Sequence, residues 1–125
     1  GAMLHATAQG GDIAWVPGKH LWAAHVKQGV HLKVDDAAAL DDIVMPNAFT
    51  ITAWVHPIAL DPMKYSFVVS RRMGVTESEV FGIGFAAGKP SVIVRAFQAQ
   101  SATAAPVNKW VHLAGTFEGT VLRLY

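Results

Sequence analysis

The chain predicts an all-β fold, an antiparallel β-sandwich, and three observations carry that expectation. Two segments, FTITAWVHP from Phe49 to Pro57 and its echo WVHLAGTFEG from Trp110 to Gly119, alternate apolar with small or polar residues. A pleated strand turns one such set inward and the other outward. No segment sustains a helical apolar period, and glycine- and proline-bearing turn signals recur at short intervals, as many short strands joined by turns require.

Each element follows in order. Gly1, Ala2 and Met3 look like a cloning remnant, and Leu4 to Gly11 is small, polar and without period, an entry segment. In DIAWVPG, Asp12 to Gly18, a short apolar burst is stopped by Pro17 and Gly18. Val26, Val30, Leu32 and Val34 then alternate loosely with polar or small residues, which predicts two strands turning at Gln28 and Gly29. DDAAALDDIVMP, Asp35 to Pro46, predicts a loop with at most one helical turn. Phe49 to His56 is the clearest strand, and Asp61 and Pro62 mark a loop before a strand from Tyr65 to Ser70. RRMGVTES, Arg71 to Ser78, predicts a hairpin loop. Phe81, Ile83 and Phe85 alternate with Gly82 and Gly84, so one face buries aromatics while the other is left bare for a close neighbour. A turn at Gly88 to Pro90, a β-branched strand from Ser91 to Phe97 and a connector from Gln98 to Ala105 precede the echo strand. A turn at Glu118 and Gly119 then leads into Val121 to Tyr125.

Composition narrows the partners. With 125 residues the size prior gives one domain, residues 4–125. Ten Lys and Arg against nine Asp and Glu leave a net charge of +1 with no basic run or acidic tail, which steers the chain to neither nucleic acid nor anionic lipid. No apolar run approaches the roughly 20 residues a membrane helix needs, so no membrane partner is expected. Cysteine is absent, which excludes a disulfide framework and a thiolate nucleophile and leaves any zinc site to His and carboxylates.

FTITAWVHP, the later VVSRR, the glycine-spaced FGIGF, and WVHLAGTFEG with LRLY resemble the concanavalin A-like lectin/glucanase superfamily, in particular its laminin G-like jelly-roll modules. WVPGKHLWAAHVKQGVHLKV is similar to the family's opening, so the resemblance covers Trp15 to Tyr125. It implies a jelly-roll sandwich with a non-catalytic role in binding a carbohydrate or protein ligand, outside the cell. In the family the strand resembling LRLY runs into several more strands that complete both sheets. The expectation here is therefore a sandwich incomplete in one chain, with open edges that favour self-association into a homo-oligomer, including by strand exchange.

Candidate site residues follow from chemistry. A pyranose lays its apolar C–H face on an aromatic ring while polar side chains take its hydroxyls. Trp22 and Tyr65, each beside a turn or loop, are the candidate platforms, with Arg71 and Arg72 as candidate donors; Trp54 and Trp110 are expected in the core. Asp35, Asp36, Asp41 and Asp42, and more weakly Asp61, offer oxygen ligands to calcium, although their spacing matches no EF-hand loop. Glu77 and Glu79 on a strand would set two carboxylates about 6.5–7 Å apart, near glycosidase spacing. They sit in a Thr- and Ser-flanked stretch, and the Glu-x-Asp-x-x-Glu pattern of the superfamily's glucanases is absent, so an enzyme is not expected. The six histidines form no helical metal pair and accompany no serine nucleophile; they are read as scattered partners to backbone and solvent.

Overall fold

The computed structural model describes residues 5–35, 48–72 and 79–125. These form eleven β-strands, and among them no helix is long and apolar enough to cross a membrane. The chain divides into two compact units, Gly1–Ile43 and Val44–Tyr125.

The first unit holds two antiparallel ribbons. Strands β1 (Ala6–Gln9) and β4 (His31–Val34) form one, and β2 (Ala14–Pro17) and β3 (Trp22–His25) the other. This corrects two expectations. The entry segment is a strand, and the turn at Gln28 and Gly29 forms, with Val30 N–H donating to Lys27 O at 3.1 Å and Gly29 at φ +81°, yet its flanking strands do not pair with each other. The hairpin instead closes between β2 and β3, where Gly18 N–H donates to Leu21 O at 2.9 Å and Leu21 takes φ +58°. Pro17 and Gly18 initiate this turn, and β4 is left to pair with the residues before β2.

The second unit is the antiparallel sandwich. Its three-stranded sheet has the order β11 (Val121–Leu124), β10 (Val111–Glu118), β5 (Ala48–Val55). Its four-stranded sheet runs β6 (Tyr65–Arg72), β7 (Glu79–Ala86), β8 (Lys89–Val94), β9 (Phe97–Gln100). Strand β9 takes residues expected in a connector, because Arg95 at φ +55° turns the chain back after Val94 and ends the single strand predicted there.

The alternation in β5 and β10 does what the pleat requires. Leu113, Gly115 and Phe117 are buried, while Thr50, Thr52, Trp54, His112 and Glu118 are exposed. Leu113 packs with Ile83, Phe85 and Val92 of the opposite sheet, and Ile51, Val55, Leu122 and Leu124 close around them. Phe49 meets Phe81 at 5.7 Å and Phe117 at 5.8 Å between ring centroids, extending the core to one end. Glycine lets the sheets meet at Gly115, where a Cβ would stand 2.8 Å from Val92 Cγ2. On the other face of the four-stranded sheet a Cβ on Gly82 would stand 2.7 Å from Cε1 of Phe67 on the adjacent strand, the close neighbour expected over the bare face of FGIGF.

Strand β6 carries a β-bulge between Phe67 and Val69 and a second irregularity between Arg71 and Arg72. Ser66, before the first, lies opposite Phe85, and Val69, after it, opposite Ile83. The extra residue, Val68, therefore reverses which parity faces inward.

Gly115→Ala is expected to lower unfolding stability by about 1–3 kcal/mol through overpacking against Val92. Adding Val92→Ala, which removes the obstructing methyls, should cost less than the two single changes summed. Urea denaturation of the four chains checks this coupling; strict additivity would contradict the contact.

Candidate functional site

Surface chemistry concentrates on the outward face of the three-stranded sheet. The tripeptide Trp-Val-His occurs twice, as Trp54–His56 and Trp110–His112. Within each, Trp and His are two apart and share a face. The antiparallel register sets His112 opposite Trp54, with Val111 opposite Val55, so each tryptophan meets the other segment's histidine. Trp54 and His112 rings lie 5.0 Å apart at 48°, and His56 and Trp110 rings 5.3 Å apart at 70°. Two indoles and two imidazoles thus form a quartet alternating around four corners. Asn108, at φ +57°, donates its N–H to Pro57 O at 2.7 Å and ties the two segments together just beyond it.

This corrects the core assignment of the two tryptophans. Trp54 is 45% exposed and Trp110 half-buried, because both occupy the phase of Thr50, Thr52, Thr116 and Glu118 rather than that of Ile51 and Leu113. Family-like position and core position are different things here, since the sheet buries only the opposite phase.

Beside the quartet lies an open cleft of about 350 Å³. Pro90, Ala99, Leu113 and Leu124 give it apolar walls, and His112, Tyr125, Gln100 and Ser101 supply polar groups. Gln100 Nε2 donates to Ala86 O at 2.8 Å and Ser101 N–H to Pro90 O at 2.9 Å, which fixes that wall. His112 belongs to both cleft and quartet. Its aromatic faces offer C–H stacking, and its imidazole, amide and hydroxyl groups offer hydrogen bonds, with no charged side chain among the quartet or the cleft lining.

The residues singled out from sequence are dispersed. Trp22 is 67% exposed on the β2–β3 ribbon, where register places it opposite Pro17 and on the same face as Trp15. Tyr65 is 53% exposed on β6, its ring stacked on Phe67 at 5.7 Å and 5°. Arg71 lies opposite Phe81, on the inward phase, whereas Tyr65 lies opposite Ala86 on the outward one. Six residues apart, they would share a face in a regular strand; the bulge at Val68 puts them on opposite faces. Arg72 stands opposite Glu79 in the ladder, and the side chains of both lie outside the described residues, as does Glu77.

Of the calcium candidates, Asp36, Asp41 and Asp42 lie outside the described residues, and Asp35 is exposed and paired with Lys33 at 2.7 Å. Asp61 accepts the Met63 N–H at 2.8 Å and lies 3.8 Å from Lys64 Nζ, so its carboxylate organises its own loop. Among the described residues no group of three His, Cys, Asp or Glu could hold a metal ion. The cleft and the quartet were not foreseen. The signal for the quartet was present in the repeated Trp-Val-His and its parity; the cleft depends on contacts between sheets that no local pattern reveals.

A family model of laminin G type, described as the concanavalin A-like lectin/glucanases superfamily, matches residues 32–125. Comparison with curated proteins gives no match, and comparison with solved structures gives none.

The cross-strand contacts lead to a measurable coupling. A double-mutant cycle of Trp54→Ala and His112→Ala, read by chemical unfolding, should return about 0.5–1.5 kcal/mol for the pair. A coupling indistinguishable from zero would mean that the two rings stand independently.

Proposed function

Because the chain belongs to the concanavalin A-like lectin/glucanases superfamily, we propose that it is a non-catalytic binding module that recognises a neutral carbohydrate through the Trp54, His56, Trp110 and His112 surface and the adjoining cleft. One observation carries the reading: Trp54 and Trp110 stand on the solvent phase of a sheet, each beside a histidine, and one of those histidines, His112, also lines a cleft without a charged side chain. Tryptophan faces stack on the C–H side of a sugar ring, and uncharged polar neighbours replace water at its hydroxyls. An anionic ligand would call for arginine or lysine among these groups, and neither the quartet nor the cleft lining includes one.

Laminin G-like modules are generally binding domains rather than catalysts, which fits a surface without paired carboxylates. A site of action outside the cell, implied by the family resemblance, fits a ligand of this class. A protein ligand is the alternative occupant of an exposed aromatic surface, and the same experiment distinguishes it.

Calorimetric titration against a panel of neutral polysaccharides should give saturable binding to at least one. Trp54→Ala and Trp110→Ala should each weaken it about tenfold or more, with circular dichroism unchanged, while Tyr65→Ala leaves it intact. Absence of binding across the panel, or full retention in both tryptophan variants, would set the carbohydrate reading aside in favour of a protein ligand. No reducing sugar should be released in any of these mixtures.

A further inference from the structure

Two of the six histidines, His56 and His112, stand against tryptophans inside the surface proposed to meet the ligand, and both are exposed to solvent. Histidine is the side chain whose charge ordinarily changes between pH 5 and 8. A surface without arginine, lysine or carboxylate that holds two imidazoles therefore has one way of changing its charge.

What surrounds the two rings decides what a proton does there. On β10 and the residue before it, the outward phase runs Trp110, His112, Ala114, Thr116 and Glu118; on β5 and the residue after it, it runs Ala48, Thr50, Thr52, Trp54 and His56. Arg123 of β11 lies opposite Thr116, which puts Arg123 and Tyr125 on this face too. Tyr125 lines the cleft with His112. Glu118 is six residues from His112, about 20 Å along an extended strand, and it is paired with Arg123 at 3.3 Å. That separation exceeds the roughly 8 Å screening length of physiological salt. In the adjoining loops, Lys109 precedes Trp110, and Asp61 and Lys64 hold each other at 3.8 Å. None of the ion pairs given by the described residues includes His56 or His112. A proton taken up by either ring thus adds a positive charge that no paired carboxylate offsets.

That charge meets an indole instead, with ring centroids 5.0 Å apart for His112 and Trp54 and 5.3 Å for His56 and Trp110. A cation within about 6 Å of an indole face is attracted by the ring quadrupole. An imidazolium is therefore held against its tryptophan where a neutral imidazole only packs. Protonation also turns one donor and one acceptor into two donors, so a hydroxyl that donates to the ring loses its acceptor. A neutral molecule laid over the charged ring strips water from it without replacing the lost solvation. All three effects oppose a neutral ligand.

We infer that the quartet is a proton-responsive surface, which holds its ligand while His56 and His112 are uncharged and releases it once they are protonated. The release of a sugar rests on the carbohydrate reading above, whereas the proton response rests on the ring contacts alone. The sign is fixed by the chemistry: affinity is greatest at the alkaline end of the histidine range and falls as pH falls. The two histidines occupy diagonal corners, about 7–8 Å apart in an antiparallel pair, so the first proton opposes the second and uptake spreads over two steps.

Two measurements on the whole chain test this. Tryptophan emission is followed from pH 8.0 to 5.0 without sugar, because an imidazolium touching an indole quenches it more than the neutral ring does. The wild-type chain should lose emission in this window, and the His56→Gln/His112→Gln chain should lose clearly less, with Trp15 and Trp22 contributing equally to both. Calorimetric titration with dextran, a β-glucan and a mannan at pH 7.5 and 5.0 should then show about tenfold weaker binding at pH 5.0. In the double variant the ratio between the two pH values should shrink to less than twofold, whatever its affinity at pH 7.5; if that variant no longer binds, each single variant should show a reduced ratio. Circular dichroism should stay constant across the range. Identical emission profiles in the two chains, equal wild-type affinity at both pH values, or a response that tracks loss of the β signal would overturn the inference. An emission change confined to the wild-type chain, with no sugar bound at pH 7.5, would set aside the carbohydrate reading and leave the proton response standing.

Discussion

The close approach of Gly115 to Val92 is the contact on which the remaining arrangement depends. With no side chain at Gly115, Val92 reaches the floor of β10 and the two sheets come together over Ile83, Phe85 and Leu113. That approach settles the phase of β10: 113, 115 and 117 must point inward. Register with β5 then settles the phase of β5, because residues directly opposite in an antiparallel ladder share a face. The outward position of Trp54, His56, Trp110 and His112 is thus a consequence of how the interior packs, not a separate feature added to the surface.

The quartet's chemistry follows from symmetry in sequence. Two copies of Trp-Val-His run antiparallel, so each tryptophan is set against a histidine, and the two indoles occupy diagonal corners. Diagonal placement spreads two apolar ring faces across the surface while an imidazole borders each. A surface of this kind suits a ligand that is itself apolar on one side and hydroxylated around its rim.

Much of the architecture was legible in the sequence, and the parts that were not have identifiable physical causes. The long strands β5 and β10 could be read because each buries one face more than the other, and a half-buried strand writes its orientation as alternation, whereas β7, buried on both faces from Gly82 to Ala86, was read from its glycine spacing. The same alternation already put Trp54 among threonines; the core reading of that residue failed because its family-like position was allowed to outweigh its phase. The ribbons of the first unit were misjudged because four-residue strands leave too little pattern to choose partners, and the choice passed to the turn at Gly18 to Leu21. The separation of Tyr65 from Arg71 was unreadable, since nothing in YSFVVSR marks Val68 as the additional residue. The cleft was invisible for a different reason: its walls come from β8, β9 and the residue after it, β10, β11 and Tyr125, which only folding brings together.

That additional residue in β6 has an evolutionary corollary. Because Val68 transposes the two faces of the strand downstream of it, gaining or losing one amino acid there exchanges inward for outward chemistry over several positions at once, with almost no change in composition. One residue more or fewer at this point would re-sort the side chains of Val69, Ser70 and Arg71 between the two faces.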